Sequence, residues 1–168
     1  MGIKVHYKSK DGFPEMVKRL QAIDGEAVEV GVLKGESAWL ASIHEYGCNI
    51  PVTDKMRAYL HSQGLHLKAS TTHIHIPERS FLRTGYDKHR DVVMKKAQLM
   101  LADVAAGRMS ADAVFKGVGL ELSSKIKDYA TELATPANHP FTAGRKGSSN
   151  PLVDTGDMIG GITWRKAK

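Results

Sequence analysis

His73 and His75 stand two residues apart in HLKASTTHIHI, so in a strand both rings would project from one face and could hold a transition metal. His61 and His66 are the nearest residues able to complete such a site. The segment is otherwise rich in Thr, and a His-x-His pair in that setting reads better as an exposed strand face. No metal or other cofactor is therefore expected. Protonation of several of the eight histidines below about pH 6.5 would add positive charge, but the sequence offers no partner for a switch. Cys48 is the only cysteine, which excludes an internal disulfide and a cysteine zinc cluster. Nothing around it marks a nucleophile with its base, so a half-buried, inert thiol is expected. The phosphate-binding GxxxxGK[ST] and the catalytic HExxH and GxSxG patterns are absent. FKGVGLEL carries two of the three glycines of a dinucleotide loop, but inside a helical pattern rather than after a strand. An enzyme is not expected.

Basic residues are the second source of chemistry. Net charge is +6 and the isoelectric point is near 9.4, a balance that favours nucleic acid, an anionic surface or an acidic partner. The charges are scattered, with short clusters only at Lys95-Lys96 and Arg165-Lys166. A solvated face accounts for them better than a DNA-docking element. Trp39, Tyr46, Phe81 and Trp164 could stack on bases. Their regular pattern positions favour core or subunit contact instead.

The elements that must position these residues fit one α+β domain spanning 1–168. At 168 residues, with 42% hydrophobic and 25% charged, the chain can bury a core without staples. No apolar run approaches the roughly 20 residues that cross a bilayer. MGIKVHYKSK lacks the apolar stretch of a signal peptide, and His6 stands where myristoylation wants Ser or Thr. Synthesis and residence in the cytoplasm are expected, with no membrane partner.

Alternation predicts strands at Ile3 to Tyr7 and at 27–33, where Val28, Val30 and Val32 share a face. Between them FPEMVKRLQAI reads as a helix, with Pro14 in its first turn and Met16, Val17, Leu20 and Ile23 on one side. Ser37 can cap a short helix carrying Trp39, Leu40, Ile43 and Tyr46, stopped by Gly47. Cys48 to Val52 is extended, Thr53 starts another helix that Gly64 closes, and 66–76 holds one or two short strands ended by Pro77. Val93, Ala97, Met100, Leu101 and Val104 mark a long helix with Gly107 at its end. Ser110 caps the next, whose stripe is Val114, Val118, Leu122, Ile126, Tyr129 and Leu133. The short connection makes the two an antiparallel hairpin. Gly117 and Gly119 are expected to admit another backbone. Residues 134–151 hold three prolines and no periodicity, and read as a flexible loop or arm. A turn, a helical turn capped by Thr155 and a strand from Ile162 end the chain. The expected architecture is a small antiparallel or mixed sheet packed against the helical hairpin.

Four stretches recur together in a family pattern: VEVGVL, then AWLASIHEYG, then IPERSFLR, and near the end KG followed by NPLVDTGDMIGGITW. In their order and spacing they resemble the tail-completion or head–tail joining proteins of long-tailed phages, also called phage virion morphogenesis proteins. Beside the resemblance stand local readings. A cationic His44 would suit the negative end of its helix, and Gly47 would be a left-handed cap. Phe81 and Leu82 can anchor the hairpin, and Arg79 and Arg83 can pair with carboxylates or phosphates. About 25 residues separate HEYG from IPERSFLR, where the family has a short glycine-rich connection. Residues 53–76 are thus read as an insertion.

The resemblance implies a structural virion protein, assembled in the host cytoplasm and located in the neck or tail. Copies would form a ring, hexameric by expectation, that completes the tail and joins it to the head. Its partners would be its own copies and the neighbouring head-closure and tail-tube or tail-terminator proteins, with non-specific DNA contact as a further expectation. Subunit-interface candidates are Trp39, His44, Glu45, Tyr46, Arg79, Phe81, Arg83, Lys146, Asp154, Asp157 and Trp164. A tail terminator or tail-tube-associated protein of the same particle is the alternative. The alternative of another class is a small basic nucleic-acid-binding regulatory domain using the hairpin. Its second helix begins SADAVFKG, without the exposed Arg, Lys, Asn or Gln a recognition helix needs. A hydrolase is a third option, for which no convergent nucleophile, base and orienter are present.

Overall fold

The computed structural model describes residues 12–167. The strand expected at Ile3 to Tyr7 lies outside them. The fold is α+β, and its frame is the predicted hairpin. Helix α4 (Phe81–Ala105) and helix α5 (Ala111–Glu132) pack along each other, joined by a tight turn at Gly107, which has φ +74°. Ser110 caps α5 by accepting from Ala113 N–H. The apolar stripe of α5 explains the packing. Leu122, Ile126 and Ala130 are buried with Phe81 and Val93 of α4, and Gly85 lets the two helices approach at Ile126. Each such side chain contributes on the order of 1.5–3 kcal/mol. Helix α1 (Phe13–Gln21) lies on α4, and Arg19 donates to Ala105 O at the negative end of that helix. Met16, Val17, Leu20 and Ile23 are all half-buried, as their spacing requires.

Two small antiparallel sheets form rather than one, and the first packs on the hairpin. Strand β1 (Val28–Val32) pairs with β4 (Ile162–Lys166), Val30 opposite Trp164 and Val32 opposite Ile162. This face packs on α5, with Ile162 fully buried. The other face is polar, and there Arg165 Nε donates to Glu29 at 2.6 Å. Gly117 and Gly119 admit side chains, not a second backbone as expected. A Cβ on Gly119 would lie 2.3 Å from Trp164, and one on Gly117 would lie 2.6 Å from Met100 Cε. Trp164 is seated in the notch that Gly119 leaves.

Strand β2 (Cys48–Pro51) pairs with β3 (His73–Ile76), Ile50 opposite Ile74. These strands close the base of the excursion at 53–76. Helix α3 (Asp54–Ser62) sits on it, capped by Thr53 through Met56 N–H, and buries none of its residues. Arg57 holds the returning loop by donating to Leu67, Lys68 and Thr71 carbonyls. The stretch 134–151, expected to be a flexible loop, contains helix α6 (Pro140–Lys146). Helix α2 (Glu36–Tyr46) crosses the start of α4, and the short α7 (Asp157–Gly160) leads into β4. Two cap assignments change. Gly35 rather than Ser37 precedes α2, and Gly156 rather than Thr155 precedes α7, although Thr155 Oγ1 still accepts from Asp157 N–H at 3.4 Å.

Candidate functional site

The end of α2, the start of α4 and the segment 136–151 meet in one polar knot. Glu45 is 2% exposed. Its carboxylate accepts from Leu82 N–H at 2.8 Å, Arg83 N–H at 3.0 Å and Arg83 Nε at 2.9 Å. The first N–H groups of a helix have no intrahelical acceptor and lie at its positive end, so a carboxylate is a strong cap there. Ser80, at the N-cap position, makes no side-chain cap hydrogen bond and instead bonds Thr84. Arg83 also donates to Glu45 O and to Glu78, and its guanidinium lies 4.8 Å above the Tyr46 ring. The hydrogen bond to Glu45 is the first cause raising its pKa further.

Arg79 forms the second half of the knot. It is 3% exposed and donates to Pro136 O at 2.7 Å, Ala137 O at 3.1 Å and Asn138 Oδ1 at 3.1 Å. Its remaining contact is His44 Nδ1 at 3.2 Å. A guanidinium has no lone pair to offer, so Nδ1 is the acceptor and His44 carries its proton on Nε2. Burial, then Arg79, then Lys146, push the His44 pKa from 6.5 down to about 4. His44 is thus neutral, not the cation expected at the helix end, because burial disfavours its charge and two cations already stand beside it. Lys146 donates to Pro151 O, and burial lowers its pKa against the pull of Asp154.

Gly47 is required for this meeting. It has φ +68° with an extended ψ of 168°, rather than a left-handed cap. A Cβ there would lie 2.8 Å from both Glu78 N and Ile76 O. Asn150 finishes the assembly. Its Oδ1 accepts from Leu152 and Val153 N–H, and its Nδ2 donates to Thr131 O at the end of α5.

The candidates therefore separate by place. His44, Glu45, Arg79, Arg83 and Lys146 converge. Glu45, Arg79 and Phe81 are buried within the single chain, Phe81 completely, so they hold the fold and do not present a contact surface. Arg79 meets carbonyls and an imidazole instead of the carboxylates or phosphates expected of it. Trp39 and Tyr46 are 69% and 65% exposed and form no part of the core. Asp154 and Asp157 are exposed beside Trp39, bordering a groove, while Trp164 lies elsewhere on α5. Asn138 and Asn150 were missed by sequence reasoning. The Asn150-Pro151 pair, a turn initiator, was the available signal for the second.

The four histidines between 61 and 75 do not converge. His61 and His66 meet at 2.7 Å between Nδ1 atoms, while His75 Nδ1 meets Asn49 Oδ1 and His73 faces Thr72. No group of three metal-ligating side chains forms among the described residues. No buried side-chain polar atom among them lacks a hydrogen-bond partner. The knot is saturated, and its chemistry is that of a clamp. No helix of the described residues is long and apolar enough to cross a membrane. No protein-family model matches the chain, and neither does any curated protein or solved structure.

Proposed function

We propose that this chain is a structural, non-catalytic protein of a long-tailed phage particle, a ring subunit of the neck that completes the tail and joins it to the head. The observation that carries this reading is where the recurring motifs go. HEYG and IPERSFLR lie far apart in the sequence, and their polar residues clamp each other, while NPLVDTG joins them through Pro151 O, which accepts from Asn138 and Lys146. What the clamp holds outward is the face of α2 with Trp39, Leu40 and Tyr46, apolar surface that the single chain leaves uncovered. A rigid mount for exposed aromatic residues suits a subunit whose partners are other subunits. The net charge of +6 fits a ring through which DNA passes.

The test is removal of the gene from the phage or prophage that encodes it, with electron microscopy of the products. Filled heads and finished but unattached tails, rejoined when the protein is supplied, are expected. Normal particles without it, or its absence from neck density in intact particles, would overturn the proposal. Salt-sensitive, sequence-independent retardation of DNA is expected for the assembled ring, and no retardation at low salt would remove that element.

A further inference from the structure

A groove of about 540 Å3 runs along the outer side of α2 and the turn before α7. Its apolar wall is made by Trp39, Leu40, Leu152 and Met158. The first two are 69% and 41% exposed, and the other two connect the groove to the core. Its charged residues are Glu36, Asp154 and Asp157, and no Lys, Arg or His lines it. That is notable in a chain of net charge +6. None of the three carboxylates has a cationic side chain within 4 Å among the described residues, although Asp154 feels Lys146 at longer range and Asp157 accepts from Thr155 Oγ1.

The complementary surface is on α4. Lys88, Val92, Lys95 and Leu99 recur at i, i+4, i+7 and i+11, one stripe of the helix about 16 Å long. Val92 is 59% and Leu99 73% exposed, so the stripe faces away from the core. Lys88 leans over the Tyr129 ring at 4.4 Å, and Lys95 has no charged partner among the described residues. Asp91, beside the stripe, is occupied by Arg90 at 3.5 Å.

We propose that the groove of one copy receives the α4 stripe of a second copy. Val92 and Leu99 cover Trp39 and Leu40, while Lys88 and Lys95 face Glu36, Asp154 and Asp157. The chain thus carries both an acidic-rimmed apolar socket and a basic apolar helix face. No residue belongs to both, so every copy can offer both at once. Such a contact is head-to-tail, the kind that closes a ring when the rotation permits. It follows the helix-in-groove mode, with apolar anchors for affinity and rim charges for register. This inference rests on the ring reading and names the surfaces that would build it.

The experiment is sedimentation velocity and native mass spectrometry of the full chain across a concentration series at low salt. The variants are Asp154→Lys with Asp157→Lys, and Lys88→Glu with Lys95→Glu. All four positions are exposed, and thermal melts matching the wild type check the fold. The wild type is expected to associate. Each variant alone is expected to associate about 100-fold more weakly, because like charges then meet across the contact. Mixing the two is expected to restore association, since intact socket then meets intact stripe. Leu99→Glu, a single change at an open position, is expected to weaken association as strongly. If the wild type associates and the variants match it, the groove is not the contact, while the ring reading stands. If the wild type is monomeric throughout, this inference fails, and gene removal judges the neck role separately. Loss of incorporation into particles by groove variants of such a monomer would assign the groove to another protein and likewise overturn the second copy as occupant.

Discussion

Replacing Glu45 tests the clamp at its centre. In Glu45→Ala two α4 N–H groups lose their acceptor and Arg83 loses one of its two carboxylates. Loss of a helix cap alone costs about 0.5–2 kcal/mol, and removal of one partner from a buried ion pair costs about 3–5 kcal/mol. The Arg83 side chain is half exposed, so it regains water when its partner goes, which moves the total toward the lower end. We expect a loss of about 3–4 kcal/mol, lowering the melting temperature by roughly 10 °C in a chain of this size. Glu45→Gln keeps one oxygen as acceptor but turns an amide N–H2 toward a donor, for a loss of about 1–2 kcal/mol. Glu78→Ala removes the other Arg83 partner, where both side chains are half exposed, and should cost no more than about 0.5 kcal/mol. Urea unfolding of the three variants at neutral pH measures the order. If Glu45→Ala fell within 1 kcal/mol of the wild type, or Glu78→Ala matched it, the claim that Glu45 holds α2 to α4 would be refuted.

His44 gives a pH dependence. Its folded pKa of about 4 lies below the ordinary 6.5, so the unfolded chain takes up the proton first as pH falls. Its contribution is complete above about pH 6.5 and is lost on the way down to about 4. After discounting for solvent screening it amounts to about 1–2 kcal/mol. His44→Asn keeps an acceptor near the Nδ1 position and should flatten that part of the unfolding curve; an unchanged slope would refute the assignment. Gly119→Ala should lose about 1–3 kcal/mol and shift Trp fluorescence, because the new methyl meets the Trp164 ring. Gly117→Ala should be neutral or stabilising by up to about 1 kcal/mol, since the flexible end of Met100 can move away. Equal losses at the two glycines would contradict the notch. Arg57→Ala should open residues 64–72 to limited proteolysis and hydrogen exchange while the global unfolding midpoint stays in place. A cooperative loss of the whole fold would show that the excursion is not a separate unit.

Local patterns by themselves determined which elements exist. The Val114 to Leu133 stripe, the caps at Thr53 and Ser110, the alternation in VEVGV and the short hairpin connection are all present as read. Each is settled by residues within a few positions of one another, through helical or strand periodicity and side-chain to backbone hydrogen bonds. Residues 134–151 were harder, because α6 is short and enters through Pro140 without an apolar stripe to announce it. Which side of α2 faces the core was not legible either. Trp39, Leu40 and Tyr46 point outward, and the buried positions are a small Ala41 and a charged Glu45. Burial of Glu45 becomes favourable only once the N-terminus of α4, 37 residues away, supplies its donors. Arg79 likewise depends on carbonyls 57 and 58 residues further along, and His44 loses its charge because folding buries it and sets Arg79 and Lys146 against it. Tertiary structure alone decided these roles, since a buried polar group is stable only where distant chain segments complete its hydrogen bonds.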